Sequence, residues 1–133
     1  MMYLDYEEHK AGVYVIDIEG DSLNPTVIWC MCWEDVVTGE KGDCLNYEEI
    51  SKFFDETAGA YYVGHNLVKF DGPVLKRLAG IDIDVSNSID TLVLSTLYSP
   101  SIVGGHSLEA WGERLGYPKG DFDDFSRFSQ EML

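Results

Sequence analysis

The sequence predicts an α/β fold, and three observations carry that reading. Short β-branched or apolar runs of strand length recur at residues 13 to 18, 26 to 33 and 60 to 65. Apolar stripes at helical spacing fill much of the remainder, and the order is three strands, helix, strand, helix, with no repeats and no low-complexity linker. A chain of 133 residues, 45% of them hydrophobic and including three Trp and eight Tyr, suits one compact domain (1–133) with a genuine core.

Each element has its local reason. In VYVIDIEG, Val13, Val15 and Ile16 have strand propensity. The following DSLNP turns the chain through Asn24 and Pro25 into a second strand, TVIWCMCW. A third short strand is expected around 43–45, after the turn TGEKG. In NYEEISKFFDETA, Tyr47, Ile50 and Phe54 share a stripe, with Asn46 placed to cap and Glu49 three residues on, so a helix follows. AYYVGH reads as a fourth strand, and DGPVLKRLAG as a helix opened by Pro73 and stopped by Gly80. IDTLVLSTLYSP reads as a helix ending before Pro100. SLEAWGERLG reads as another, with Leu108, Trp111 and Leu115 on one side and Gly116 closing it.

Composition narrows the function classes. No run approaches the roughly 18 apolar residues of a membrane span, and the acidic start MMYLDYEEHK is unlike a basic signal or transit peptide, so the cytoplasm is the expected compartment and no membrane partner is expected. Nine Lys and Arg against 24 Asp and Glu give a formal charge of −15, which opposes any unaided grip on a polyanion; metal ions or another chain would have to help. The odd count of three cysteines reads as buried free thiols. A zinc site of Cys30, Cys32 and Cys44 is disfavoured, because C-x-C within a strand is not the usual knuckle spacing.

One pattern demands chemistry. Asp17 and Glu19 end an oily strand two positions apart, so alternation sends both to the same side, with Ile18 opposite. Two anions on one face repel unless they reach water, one is protonated, or a cation sits between them. A solvated strand end is the plain alternative, and Asp71 in FDGPVL equally suits a helix cap.

The segments VIDIEGDSL, GHNLVKFDGPVL and SIDTLVLSTL, in that order, resemble the DnaQ-like 3′→5′ exonucleases of ribonuclease-H fold, the first two as the family's D-x-E and N-x₃-[FY]-D motifs. HNLVKFDGPVL, IDTLVLSTL and HSLEAWGERLG are similar to the proofreading domain at the front of family A DNA polymerases from T-seven-type short-tailed phages. The resemblance runs from about Val13 to Phe128. It implies a mixed five-stranded sheet, three antiparallel strands followed by parallel ones, flanked by helices. It further implies two divalent cations, Mg²⁺ or Mn²⁺, roughly 4 Å apart, that stabilise the attacking and leaving oxygens of phosphodiester hydrolysis at DNA 3′ ends. On this resemblance Asp17 contacts both metals, Glu19 holds the one that activates water, and Asp71 completes the shell.

The same resemblance makes Leu23 an apolar wedge against the terminal base and places Asn66 and Phe70 beside the terminal nucleotides. By residue type alone Leu23 and Phe70 equally suit a core. His65 is a candidate phosphate contact or a structural histidine. Asp90 reads as a cap rather than a ligand, and His106 as capping or packing. The family's third motif, a Tyr or His followed by an Asp on a late helix, is matched by spacing in YPKGD, Tyr117 to Asp121. Pro118 and Gly120 oppose the helix it requires, so the true motif and its helix are expected beyond Leu133. The resemblance therefore implies a 3′→5′ exonuclease acting on single-stranded or frayed DNA, weak or inactive as the isolated chain and fully active only when a fourth carboxylate is supplied. The alternative is an inactive exonuclease-like module that docks to a polymerase chain or to a second copy of itself.

Overall fold

The structure, a computed structural model, describes residues 12–116. Among them, five strands form one sheet: β1 (Val13–Gly20), β2 (Ile28–Asp35), β3 (Lys41–Cys44), β4 (Tyr61–Gly64) and β5 (Ser88–Asp90), in spatial order β3-β2-β1-β4-β5. β1 pairs antiparallel with β2, and β2 with β3, whereas β4 runs parallel to both β1 and β5. This is the mixed sheet that the resemblance implies. The chain divides into two compact units, one ending at Thr91 and the other beginning at Leu92. No described helix is long and apolar enough to cross a membrane.

The sheet-bearing unit packs helix α1 (Tyr47–Glu56) on one face of the sheet. Asn46 caps α1 by accepting the Glu49 N–H at 2.8 Å, while the Glu49 carboxylate accepts the Leu45 N–H at 2.6 Å. The helix buries Ile50 and Phe53 against Ile16, Ile18 and Met31, and burial of each such side chain contributes about 1.5–3 kcal/mol. Phe53 stacks on Trp33 with ring centroids 5.3 Å apart and meets Tyr14 edge-on at 5.3 Å. Gly42, opposite Trp33 across β2 and β3, is required there, because any Cβ would overlap the indole.

Two elements differ from the sequence reading. The helix expected to open at Pro73 begins earlier, as a helical run over 67–79 made of Leu67–Asp71, α2 (Gly72–Val74) and Leu75–Ala79. Its outer segments are wound more loosely than an α-helix, with the Gly72 N–H reaching the Leu67 carbonyl five residues back. A side chain at Gly72 would crowd that same carbonyl. The segment read as helix from Ile89 instead starts as β5, and the helix α3 (Thr91–Tyr98) follows. Strands β2 and β3 are each displaced by about two residues from the expected spans, since the turn rather than the apolar run sets their ends.

The second unit contains most of α3, together with α4 (Leu108–Leu115). Its centre is a relay on the buried Ser95. The Trp111 indole N–H donates to the Ser95 Oγ at 2.7 Å, and that hydroxyl meets His106 Nδ1 at 2.7 Å. His106 Nε2 lies 3.2 Å from the Pro100 carbonyl, so the Nε2–H tautomer satisfies every partner. His106 is structural, as its sequence position suggests. Arg114 lies over the Trp111 ring and ties down the Val103 and Gly105 carbonyls.

Candidate functional site

The register of the strands sorts the residues of the site. Asp17 stands opposite Cys32, and Glu19 opposite Cys30, so the two acids share one face of the sheet while Ile16 and Ile18 pack into the core on the other. A bulge between Glu19 and Gly20 ends regular pairing immediately after the second acid. Pairing of β1 with β4 extends only through Val15 and Val63. Beyond that point the Ile18 N–H donates to the Asp71 carboxyl, which reaches β1 from the helical run after β4.

Asp71 is only 4% exposed. Burial, and then the negative charge of Asp17, push its carboxyl up from 3.8 to about 7; the hydrogen bond from Ile18 opposes the rise, and Glu19 and Asp90 add to it. The structure thus brings Asp17, Glu19 and Asp71 into one electrostatic group. The capping alternative for Asp71 fails: the residue has helical backbone angles within the run and makes no side-chain cap hydrogen bond.

Asp90 contributes more than its position suggests. Its carboxylate accepts the Asn66 N–H at 2.9 Å and the Val68 N–H at 3.0 Å, capping the start of the helical run that delivers Asp71. These bonds hold Asn66 at φ 66°, a left-handed conformation that Asn tolerates better than most residues. His65 Nδ1 lies 2.9 Å from the Thr91 hydroxyl, and its Nε2 is enclosed without a hydrogen-bond partner. Phe70 is half-buried against the core.

Leu23 is 94% exposed on the loop after β1, which excludes a core role. Asp21 fastens that loop by accepting the Thr26 hydroxyl and the Thr26 and Val27 N–H groups, contacts that hold its carboxyl below the usual range. Arg77 anchors the loop to the helical run through the Pro25 carbonyl at 2.6 Å. Sequence reasoning missed Asp21 and Arg77. The D-x-x-x-x-T spacing gives a weak signal for the first, and nothing local marks the second.

Asp17, Glu19 and Asp71 offer hard oxygen donors, which match Mg²⁺ or Mn²⁺ and not a thiophilic ion. Among the described residues, no three His, Cys, Asp or Glu side chains stand at the spacing of a closed ligand cage, so the carboxylates would have to draw in around an ion. The cysteine alternative fails on topology. Cys44 lies opposite Met31 on the core face, whereas Cys30 and Cys32 are on the other. Tyr117 and Asp121 lie outside the described residues.

No family model matches the chain. It is 37% identical over 98 residues to the DNA-directed DNA polymerase of Escherichia phage T7 and, equally, to that of Enterobacteria phage T3. Each alignment covers 56% of this chain and 14% of the polymerase, so the chain corresponds to a small part of those relatives. Among solved structures it is similar to the family B DNA polymerase of the hyperthermophilic archaeon Pyrobaculum calidifontis, with a TM-score of 0.58 and 14% identity over 78% of this chain and 18% of that one, a likeness of fold. In sequence, then, the chain is similar to a short stretch of two phage DNA polymerases, and its ribonuclease-H-like sheet is similar in fold to part of a family B DNA polymerase.

Proposed function

We propose that this chain is a 3′→5′ exonuclease domain of the proofreading kind, from a phage-type DNA polymerase, acting on single-stranded or frayed DNA 3′ ends in the cytoplasm of a host cell. One observation carries the proposal: Asp71, delivered by a separate element, is buried within the electrostatic reach of Asp17 and Glu19, and burial first, then the charge of Asp17, raises its carboxyl to about 7. A buried carboxyl whose proton is held by neighbouring carboxylates is the pattern that functional sites concentrate.

In this reading Asp17, Glu19 and Asp71 hold Mg²⁺ or Mn²⁺, which when bound supply Lewis-acid stabilisation of the entering and leaving oxygens. The chain's own residues do the positioning. Ile18 fixes one carboxyl, and Asp90 fixes the start of the run that carries it. The loop stapled by Asp21 offers Leu23 to the terminal base, and Asn66, Phe70 and His65 lie along the segment expected to hold the last nucleotides. The test is digestion of a 3′-labelled single strand with Mn²⁺. Digestion that is lost in Asp17→Ala is expected.

A second reading is favoured by the absence of a closed ligand cage among the described residues. Here the domain is an inactive exonuclease-like module that docks to a polymerase chain. Digestion no faster than in Asp17→Ala, with that chain supplied, would decide for this reading.

A further inference from the structure

The sheet face that carries Asp17 and Glu19 also carries two thiols. In register, Asp17, Cys32 and Asp43 form one row across β1, β2 and β3, and Glu19 with Cys30 forms the next. Cys30 and Cys32 are two residues apart on one strand and point to the same side. Asp43 is the cross-strand neighbour of Cys32, and Cys30 is its neighbour along β2. Cys30 is 6% exposed and Cys32 is open to solvent, so the pair has one approach, from the Cys32 side. A shallow cavity of about 280 Å³, lined in part by Val15, Asp17, Cys32 and Asp43, lies there.

We propose that Cys30 and Cys32 form a dithiol site that captures thiophilic cations and trivalent metalloids such as arsenic(III). Two thiols on one face of one strand are a bidentate donor of the soft kind that such ions prefer over oxygen. With an organic arsenic(III) oxide the reaction balances without any redox change. Two As–S bonds form, the As–O bond and two S–H bonds break, and the oxygen leaves as water with both thiol protons. Cys44 takes no part, because the sheet separates it from the pair.

The probe is phenylarsine oxide added to the folded full chain, read by intact mass and by thiol titration after denaturation. A single adduct is expected, heavier by the reagent less one water, with the titratable thiols falling from the three in the sequence to Cys44 alone. Cys44→Ser should capture the reagent as well as the unaltered chain. Cys32→Ser should bind it roughly 100-fold more weakly, since a single thiol lacks the chelate advantage. Cys32 is exposed, so that variant keeps the fold and the test stands even if Cys30→Ser does not fold. No adduct on the folded chain, undiminished capture by Cys32→Ser, or loss of capture in Cys44→Ser would each overturn the proposal.

Discussion

The two faces of the β1–β2–β3 sheet are built from alternate residues of the same strands, yet they do opposite work. On one, Ile16, Ile18, Met31 and Trp33 close against α1 with almost no exposure for the aliphatic residues. On the other, Asp17, Glu19, Cys32 and Asp43 face outward in register. Period-two alternation lets packing fix the backbone to high precision from one side while the other is left for chemistry. The comparison also shows why Asp71 is the unusual member of the acid group. It is buried like a core residue and charged like a site residue, and the two demands conflict.

Substitutions can sharpen or break that comparison. The largest stability effect is expected on the packed face: Met31→Ala should cost about 2–5 kcal/mol in chemical denaturation, because Met31 is wholly buried. A loss below about 1 kcal/mol would mean that this face is not close-packed.

Asp71→Asn should act in the opposite direction, and only at the right pH. The carboxyl titrates near 7 in the folded chain against 3.8 without the fold. Between those values the folded chain keeps a proton that the unfolded chain has lost, so stability falls as pH rises through the window. In metal-free buffer at pH 8 the variant should therefore be more stable than the unaltered chain by about 2–4 kcal/mol, and the difference should fade towards pH 4. Equal stabilities across that range would remove the buried-carboxyl account.

Two smaller effects complete the set. Asn46→Ala removes the cap of α1 and should cost about 1 kcal/mol, seen as a lower melting temperature. Cys32→Ser, on the open face, should change stability by no more than about 0.5 kcal/mol. A loss from Cys32→Ser as large as that from Met31→Ala would erase the distinction between the faces.

Much of this was legible in the sequence, for identifiable reasons. Alternation in VYVIDIEG announced β1 and put Asp17 and Glu19 on one side, and the cap at Asn46 announced α1. The five-stranded mixed order followed from the resemblance. β5 was hidden because three residues, Ser88–Asp90, carry no periodicity, and their partner β4 is remote in sequence. The early start of the helical run was hidden because Asn66 adopts a left-handed conformation and Gly72-Pro73 reads as a breaker, whereas the widened turn makes room for both. The row of Asp17, Cys32 and Asp43 and the pressure of Asp90 on Asp71 depend on strand register, which no local pattern states.

The central claim is that Asp17, Glu19 and Asp71 converge to hold a divalent cation. Calorimetric titration of Mn²⁺ into the full chain, Asp17→Ala and Asp71→Asn measures it directly. Binding to the unaltered chain that weakens by at least about tenfold in each variant is the expected result. Binding unchanged in Asp17→Ala, or no binding to the unaltered chain, would contradict it.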